Sequence, residues 1–501
     1  MLTSMFKDSM ESLNGANASI LQLFMNSLIK IFVLISVLSA SISCYANSNR
    51  PNILFILTED QGAHLSFLGT SGLQTPHMDS LAKSGVYFRN AFVAYPVCSP
   101  SKAAIYTSLH NHTNGILNNT PNFHKPALEL TVVEAKNPLY VRNRISQQTP
   151  TLIERLKSAG YYQGVTHKLH VAPNEKFPYD EFMPGEGRGA LTGFLERAQK
   201  LGKPWHLFLN VGNSHRPFPN SDKTPIRVKP AEVKLPAFLP DTPIIRQDWA
   251  EYLAAIEKAD QVIGESLAVL REAGQMDNTI IICLGGDHGP AFPHGKMTLY
   301  DLGLRVTLSI SGPGFGHGVQ SNALVSELDI TPTLLDVLGL DPIKTSHGMS
   351  LRPVLESKPA AKGHEYVFAE ISDRGNLPND GMQERSVCDG RWHLIFRTNP
   401  APSWRQVQAD SKDPKPWGNR SYDEIVRVKD KFPEAFRVLA EMDPQTLHGK
   451  VPELEIFDLQ SDPDEMRNLS SDEKYRGEKD RLFSALKKWN IDTQDTSVKL
   501  P

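Results

Sequence analysis

Three runs of consecutive apolar residues stand out along the chain, and each is followed by polar or charged residues. They lie within PNILFILTEDQG (residues 51–62), PWHLFLNVGNSH (204–215) and NTIIICLGGDHG (278–289). Continuous apolar runs of this length are typical of strands in a parallel sheet whose two faces are both covered. The pattern therefore predicts three buried strands with polar residues at their C-terminal ends.

Segments with helical spacing of apolar residues separate these runs. They occupy residues 75–85, 149–160 and 248–274, and each ends in glycine, which commonly terminates a helix. Strands that alternate with helices predict an α/β domain, with a doubly wound, mostly parallel sheet flanked by helices. Ligands of such sheets bind beyond the C-terminal strand ends, where the acids and histidines of this sequence fall.

The pattern changes in the C-terminal third of the chain. A helix-like segment at residues 327–340 closes the first region, and beyond about residue 358 short strand patterns and a turn precede one final helix. We therefore expect a large domain over residues 47–357 and a smaller α+β subdomain over residues 358–501. Residues 400–418 are rich in proline and tryptophan and are predicted to form a surface loop.

The N-terminal region reads as a targeting segment. Residues 27–46 contain a lysine, an apolar run and then small residues, which is typical of a secretory signal peptide covering residues 1–46, with Met25 as an alternative start. The run is too short for a stable membrane span. A lipoprotein signal ending at Cys44 is an alternative that Ser41 disfavours, and a membrane-anchored N-terminus is another. The sequence thus predicts a secreted or periplasmic protein.

Charge and cysteine usage narrow the classes of function. The chain of 501 residues carries 53 Lys and Arg against 56 Asp and Glu, which argues against a nucleic-acid-binding protein and against disorder. Cleavage of a signal peptide would leave Cys98, Cys283 and Cys388, an odd number that forms no disulfide framework. Cys283 lies in an apolar run and is expected in the core.

Cys98 stands at the start of a helix-like run and asks for an explanation. Pro100 suits the first turn of a helix, so Cys98 would lie at a helix N-terminus, where free N–H groups and the helix dipole favour anions. A buried structural thiol is the other interpretation of this residue.

A candidate metal site follows from the strand ends. Glu59 and Asp60 follow the first run, Asp287 and His288 follow the third, and we expect them at one sheet edge with Cys98. Three carboxylates and a histidine suit a hard dication such as Ca²⁺ or Mg²⁺, and without one the acids would raise each other's pKa. Taken singly, each acid could also be a helix cap or a turn residue.

Basic residues lie near the same strand ends. Their residue types suit anion binding and proton transfer, although each alone could equally be a solvated surface charge. The candidates are Lys168, His170, His215, Arg216 and Lys296. His294 and Arg305 are expected to be surface charges.

At this point the residues resemble a known family. CSPSKAAIYTS (residues 98–108) is similar to the sulfatase signature C-x-P-S-R followed by a helix. The other motifs recur in a similar order over nearly the whole mature chain: PNILFILTED, HKLH, SHRPF, GGDHG, GK and EIFDLQSDPDEMRNL. The SHR triplet and DHGPAFPHGKMTLYDLGLRV most resemble the heparan N-sulfatase, or sulfamidase, branch.

The resemblance implies an alkaline-phosphatase-like fold and a specific chemistry. Residues 47–357 would be the catalytic domain of a hydrolase acting on sulfate esters or sulfamates of a glycan. A formylglycine-generating enzyme or an anaerobic maturase would convert Cys98 to formylglycine, whose hydrate attacks sulfur beside a bound cation. Ca²⁺ is expected, with Mg²⁺ as the alternative, and the implied ligands are Glu59, Asp60, Asp287, His288 and the oxidised residue 98.

The resemblance also implies roles for the basic residues. His215 would give a proton to the leaving group, and His170 would act as the base that releases sulfate. Lys168 and Lys296 would hold sulfate oxygens where charge develops. Lys102 would help to hold the formylglycine.

Two departures from the family pattern keep alternatives open. Lys102 stands where the signature has arginine and lacks its planar fork, and Glu59 stands where aspartate is usual and is one methylene longer. The alternatives are a degenerate sulfatase that binds sulfated glycan without turnover, and a phosphatase or phosphonate-ester hydrolase of the same superfamily. Arg374 is a candidate for substrate recognition.

Overall fold

The computed structural model describes residues 50–219, 223–358, 361–372, 382–398, 400 and 420–501. The predicted signal peptide with Cys44, the recognition candidate Arg374 and residues 401–418 of the predicted surface loop lie outside the described residues. None of the helices in the described part of the chain combines the length and apolar character that crossing a membrane requires.

An eight-stranded sheet forms the centre of the larger region. Its strand order is β4-β3-β5-β1-β6-β7-β2-β8. The strands are β1 Asn52–Thr58, β2 Val86–Phe92, β3 Tyr162–Thr166, β4 Glu181–Met183, β5 Trp205–Val211, β6 Thr279–Gly285, β7 Arg305–Ser311 and β8 Val319–Ser326. Strand β1 pairs in parallel with β5 and β6, whereas β7 runs antiparallel to both β6 and β2. The predicted fold, a mostly parallel sheet, is confirmed.

Helices flank this sheet, and their ends follow from local sequence. They are α1 Pro76–Ser84, α2 Cys98–Thr107, α3 Asn111–Asn114, α4 Val132–Ala135, α5 Pro138–Arg142, α6 Leu152–Ser158, α7 Arg188–Lys200, α8 Pro243–Glu272, α9 Asp301–Leu304, α10 Ile330–Val337 and α11 Arg352–Leu355. Helix α8 begins before its predicted start because Thr242 caps the N–H of Ile245 and Pro243 occupies the first turn. Thr151 and Glu154 form a capping box at α6.

Burial of both sheet faces explains the continuous apolar runs. Every residue of β1, β5 and β6 is buried, including Cys283 as expected. The rings of Phe55 in β1 and Phe208 in β5 lie 4.6 Å apart, and Tyr106 of α2 lies 5.0 Å from Phe208. Helix α2 is thereby packed onto the sheet, which fixes Cys98 at the helix start close to the strand ends.

The smaller α+β region is built on a four-stranded antiparallel sheet, as predicted. Its order is β12-β11-β10-β9. Its elements are β9 Val367–Ile371, β10 Glu384–Cys388, β11 Trp392–Arg397, α12 Arg420–Arg427, α13 Pro433–Met442, α14 Pro444–Leu447, β12 Leu454–Asp458 and α15 Arg476–Asp492. Helix α15 buries Leu482, Leu486 and Trp489 against this sheet.

A buried charged seam joins the two regions, and it consists of His112, Glu370, Arg385 and Asp495. His112 Nδ1 lies 3.0 Å from both carboxylate oxygens of Glu370. Arg385 Nε donates to Asp495 at 2.6 Å, and another guanidinium nitrogen lies 3.5 Å from Glu370. The seam connects helix α3 to strands β9 and β10 and to the chain after α15.

Candidate active site

The carboxyl ends of β1 and β6 bring the predicted acids together. The two strands are parallel neighbours, so Glu59 and Asp60 leave one strand beside Asp287 and His288 leaving the other. The N–H of Asp60 donates to Oδ1 of Asp287 at 3.1 Å, and the N–H of Asp287 donates to the carbonyl of Thr58 at 3.1 Å. These bonds lock the two turns to each other.

Gly286 is required by the turn after β6. Its φ is +111°, and a Cβ there would lie 2.6 Å from the carbonyl oxygen of His288 and 2.7 Å from the nitrogen of Gly62. Any side chain would separate the two turns, because backbone atoms cannot move aside cheaply. The glycine therefore sets how closely the acids of the two strands approach.

Cys98 joins three of the predicted ligands in one buried group. Asp60, Cys98, Asp287 and His288 each offer a ligand atom within 4.8 Å of the others. Cys98 has no solvent exposure, and its Sγ lies 3.3 Å from Nε2 of His288. Burial raises the pKa of the Cys98 thiol, but the ammonium groups of Lys168 and Lys296 outweigh burial and lower it to about 7. We call these four residues the central group.

The orientation of His288 is set by a backbone acceptor. Its Nδ1 lies 2.9 Å from the carbonyl oxygen of Gly289, which can only accept, so Nδ1 carries the proton and Nε2 faces the central group. Burial lowers the pKa of His288, whereas the carboxylates of Asp287 and Asp60 raise it to about 9. Nε2 is thus the atom that a cation would contact in place of a proton.

Three lysines compensate the buried carboxylates. Lys102 Nζ lies 2.6 Å from Glu59 Oε1 and 2.8 Å from Asp287 Oδ2, with no exposure of its side chain. Lys168 Nζ lies 2.5 Å from Glu59 Oε2. Lys296 Nζ donates to Asp60 at 3.0 and 3.2 Å. Each ammonium is therefore held by the acids that follow β1 and β6.

Mutual charge interactions dominate the titration of these groups. Burial raises the pKa of Glu59, but Lys102 and Lys168 outweigh it and hold that pKa well below its ordinary value. Burial lowers the pKa of Lys102, while Asp287 and Glu59 raise it above the ordinary value. Glu59 and Lys102 are therefore both charged at neutral pH.

His215 reaches the same edge from the end of β5. Its Nδ1 lies 2.5 Å from the carbonyl of Arg216 and therefore donates to it, which leaves Nε2 directed at Lys296, 3.3 Å away. Nε2 also lies 3.9 Å from Asp60 Oδ2. Arg216 turns away and forms a bidentate pair with Asp248 at 2.8 and 3.0 Å.

His170 lies on the loop after β3, two residues beyond Lys168. It is buried, with φ at +52°, and its backbone N–H donates to Oδ1 of Asn122 at 3.1 Å. The N–H of Leu169 donates to the same oxygen at 3.0 Å. The loop conformation is therefore fixed from its backbone, and the role of the His170 side chain stays a prediction.

An open cleft of about 490 Å³ lies beside these residues. It is lined by Glu59, Lys168, His215 and Arg216, together with His167, Asn213, Phe218 and Lys258 among others. Sequence reasoning missed His167 and Asn213, although both lie within the quoted motifs HKLH and PWHLFLNVGNSH at strand ends. Lys258 carried no signal, because it lies on α8 far from any motif in the sequence.

The expectation that His294 is a surface charge was wrong. His294 is 2% exposed, and its ring stacks on Tyr300 with centroids 3.8 Å apart. Burial lowers its pKa to about 3, so it is neutral. Arg305 is half-buried, donates to Asp301 at 2.9 Å and lies over the ring of Phe92. Both residues support packing near β7.

Comparison with known proteins identifies related chains. The family described as Sulfatase matches residues 51–188 and 188–340. An ulvan-active sulfatase from Formosa agariphila is 29% identical over 88% of this chain and 74% of its own length. The N-sulphoglucosamine sulphohydrolase of Homo sapiens is 28% identical over 90% of this chain and 92% of its own.

A solved structure shares the fold at low sequence identity. The phosphonate monoester hydrolase from Silicibacter pomeroyi superimposes with a TM-score of 0.63 at 19% identity, covering 90% of this chain and 97% of the other. That likeness concerns the fold alone, since chemistry on a shared fold is decided by the residues of the site.

Proposed function

The chain belongs to the sulfatase family, and we propose that it removes sulfate from a sulfated glycan with a formylglycine made from Cys98 and a bound dication. Family membership makes the protein a hydrolase of sulfate esters or sulfamates. The observation that carries the finer proposal is the position of Cys98. Its sulfur lies within 4.8 Å of two carboxylates and an imidazole, and the neighbouring residues Glu59, Lys168 and His215 line an open cleft.

The central group fits a hard dication. Asp60 and Asp287 offer carboxylate oxygens, His288 offers Nε2, and all are buried within 4.8 Å of residue 98. Oxygen-rich donor sets of this kind suit Ca²⁺ or Mg²⁺. When bound, the cation would supply positive charge against the oxygens of the substrate. The other implied ligand, Glu59, has its carboxylate on Lys102 and Lys168.

Formylglycine would supply the attacking hydroxyl when its aldehyde is hydrated. The residues around position 98 would orient and hold the anionic substrate. Lys168 and Lys296 lie close enough to Cys98 that their charges lower its pKa against the effect of burial. They are therefore suited to hold sulfate oxygens through charge-assisted hydrogen bonds.

Proton transfer would fall to two histidines. His215 Nδ1 is fixed on the Arg216 carbonyl, so a second proton on Nε2 would be directed into the cleft beside Lys296. In that state His215 can protonate the departing oxygen or nitrogen of the glycan. We assign His170 the complementary role of base on the strength of the family resemblance.

The substrate class follows from the relatives. One relative is named as active on ulvan and another as acting on N-sulphoglucosamine, both sulfated sugars. We therefore propose a sulfated polysaccharide, with N- or O-linked sulfate, and no nucleic-acid partner. Export through the signal peptide and the boundary between residues 357 and 358 belong to the same proposal. Protein from the native host should begin at Asn47.

The experiment that tests the proposal starts with the mass of the tryptic peptide spanning residues 90–102 from natively produced protein. We expect the peptide to be lighter by the difference between a thiol and an aldehyde at position 98. An unchanged thiol in protein without activity would support the reading as a degenerate sulfatase, in which Lys102 prevents maturation.

The second arm identifies the leaving anion. Aryl sulfate and aryl phosphonate ester are compared, and then a panel of sulfated oligosaccharides. We expect release of sulfate, lost on Cys98→Ala and retained on the control Cys388→Ala, a buried thiol outside the site. Preferential cleavage of the phosphonate ester would overturn the proposal in favour of a phosphonate-ester hydrolase.

A further inference from the structure

Glu59 differs from the other predicted ligands in what its side chain contacts. Lys102 Nζ takes Oε1 at 2.6 Å, and Lys168 Nζ takes Oε2 at 2.5 Å. A different ammonium group therefore holds each carboxylate oxygen of Glu59, whereas the single ammonium of Lys296 contacts both oxygens of Asp60. The side chain of Glu59 is 2% exposed, so water does not compete for it.

The central group gathers without Glu59. Asp60, the next residue, has its carboxylate beside Cys98 and His288, at 3.4 Å from His288 Nε2. The carboxylate of Glu59 points instead toward Lys168, which lines the cleft, and toward Lys102 of helix α2. Consecutive residues after β1 thus serve two places, one beside residue 98 and one under the lysines.

We propose that Glu59 is a positioning residue, which holds Lys168 for the substrate anion, also pairs with the buried Lys102, and is not a ligand of the cation. The inference rests on the proposed function for the anion that Lys168 meets. It also makes Glu59 and Lys102 a matched pair: the two residues that depart from the family pattern contact each other directly.

Chain length explains why the pair would be matched. Lysine presents one ammonium, whereas arginine presents a wider planar fork with several donors. The additional methylene of Glu59 brings its carboxylate up to the single ammonium of Lys102 and to Lys168 on its other oxygen. Lys102 also reaches Asp287 at 2.8 Å, so it bridges the turn after β1 to the turn after β6.

The first experiment separates ligand from positioning residue. Purified Glu59→Gln and Asp60→Asn proteins are dialysed against Ca²⁺, and bound metal is measured by elemental analysis. We expect Glu59→Gln to keep about one ion per chain and Asp60→Asn to lose it. Glu59→Gln should raise KM for sulfate esters about tenfold, because Lys168 loses its fixed position. Glu384→Gln, which removes one of the two buried carboxylates that contact Arg397, is the matched control for stability loss alone.

The second experiment tests the match between the two residues. Unfolding temperatures are compared for Glu59→Asp, Lys102→Arg and the double variant. Each single change should lower the unfolding temperature by about 5 °C, and the double variant should recover at least about half of the summed loss. Formylglycine content of the same proteins, from the mass of the peptide that contains residue 98, should follow the same order.

The outcomes distinguish this inference from the proposed function. Loss of metal in Glu59→Gln equal to that in Asp60→Asn would overturn the positioning role, and additive unfolding losses would overturn the pairing. If the wild-type protein binds no ion and releases no sulfate, the proposed function fails. The unfolding comparison still decides the pairing, since it needs neither ion nor substrate.

Discussion

The central group with its lysines and the charged seam are both buried networks of acids and bases, but their cations differ. At the seam, His112 has an acceptor at each ring nitrogen: Glu370 at Nδ1 and the carbonyl of Thr493, 3.3 Å from Nε2. Arg385 spreads its donors over Asp495, Ser497 and backbone carbonyls. At the central group the cations are lysines, and one of them, Lys168, lines an open cleft.

The difference shows which features distinguish a structural cluster of buried acids from one at a reactive site. In the seam, planar cations with several fixed donors match the acids and leave a closed structural junction. Near Cys98, single-point ammonium groups hold carboxylates that hard cations prefer, and one of these ammonium groups, that of Lys168, borders the cleft. Clustered acids therefore indicate a reactive site when the cations paired with them are able to exchange those acids for another ligand.

The largest expected effect comes from Asp287→Asn. Sulfatase activity should fall at least about 10⁴-fold, because the proposed cation and Lys102 would both lose a charged partner. Steady-state kinetics and metal content check it. The matched control is Asp495→Asn in the seam, which should keep kcat within about twofold. Equal loss of kcat in the two variants would erase the distinction.

Arg385→Met should lower the stability of the fold and leave kcat unchanged, in contrast to Asp287→Asn. Glu370 and Asp495 would remain buried without their guanidinium, which costs about 3–5 kcal/mol of unfolding free energy. The folded fraction should retain its metal and its kcat. Denaturant titration and active-site counting measure the two quantities, and a kcat that falls with stability would contradict the separation of the two networks.

His215→Gln should lower kcat for a sugar sulfate about 10²-fold, because the leaving group loses its acid. The loss should be smaller for an aryl sulfate, whose phenolate leaves without a proton. Comparing kcat on both substrates tests this. The control His112→Gln should leave both values unchanged, and a uniform loss on both substrates would argue against the acid role.

The smallest effect is a pH dependence of the seam. Burial lowers the pKa of His112, but Glu370 outweighs it and raises that pKa, while burial leaves His110 and His347 with lowered pKa values and therefore neutral. The stabilisation by protonated His112 is fully present below about pH 6.5 and is lost as pH rises through its raised pKa.

The corresponding measurement compares unfolding temperatures of wild type and His112→Gln. We expect a difference of several °C at pH 6 that shrinks by pH 9. At acid pH the carboxylates also matter: the pKa of Glu370 is lowered by His112 and Arg385 against the effect of burial, so its contribution is lost only as pH falls below its ordinary range. If the difference in unfolding temperature between wild type and His112→Gln stays constant from pH 6 to pH 9, His112 is excluded as the titrating group.

The strands and their polar ends could be predicted because parallel strands buried on both faces leave continuous apolar runs. The antiparallel direction of β7 could not, since direction depends on the connection before it and not on its own residues. The ordered motifs indicated Cys98, Asp287 and His288 together. His294 escaped because a charged residue type beside glycines reads as surface, whereas its ring is buried on Tyr300.

Contacts that depend on side-chain length were also out of reach of the sequence. Glu59 follows a strand as Asp60 does, and nothing in the pattern says that one turns to two lysines and the other to Cys98. Lys258 reaches the cleft only because α8 passes over the end of β5. Such placements arise from packing between elements far apart in the chain.

The complete burial of Cys98 limits the time during which its side chain can be modified. Once α2 is packed beneath the sheet edge, no second enzyme can grasp a sulfur atom that has no solvent exposure. Any enzyme that modifies this side chain has to act while residues 90–107 are still unfolded. The fraction of active molecules then depends on the rate of that modification relative to the rate of folding. Protein that is refolded afterwards keeps the chemical state that residue 98 had before it folded.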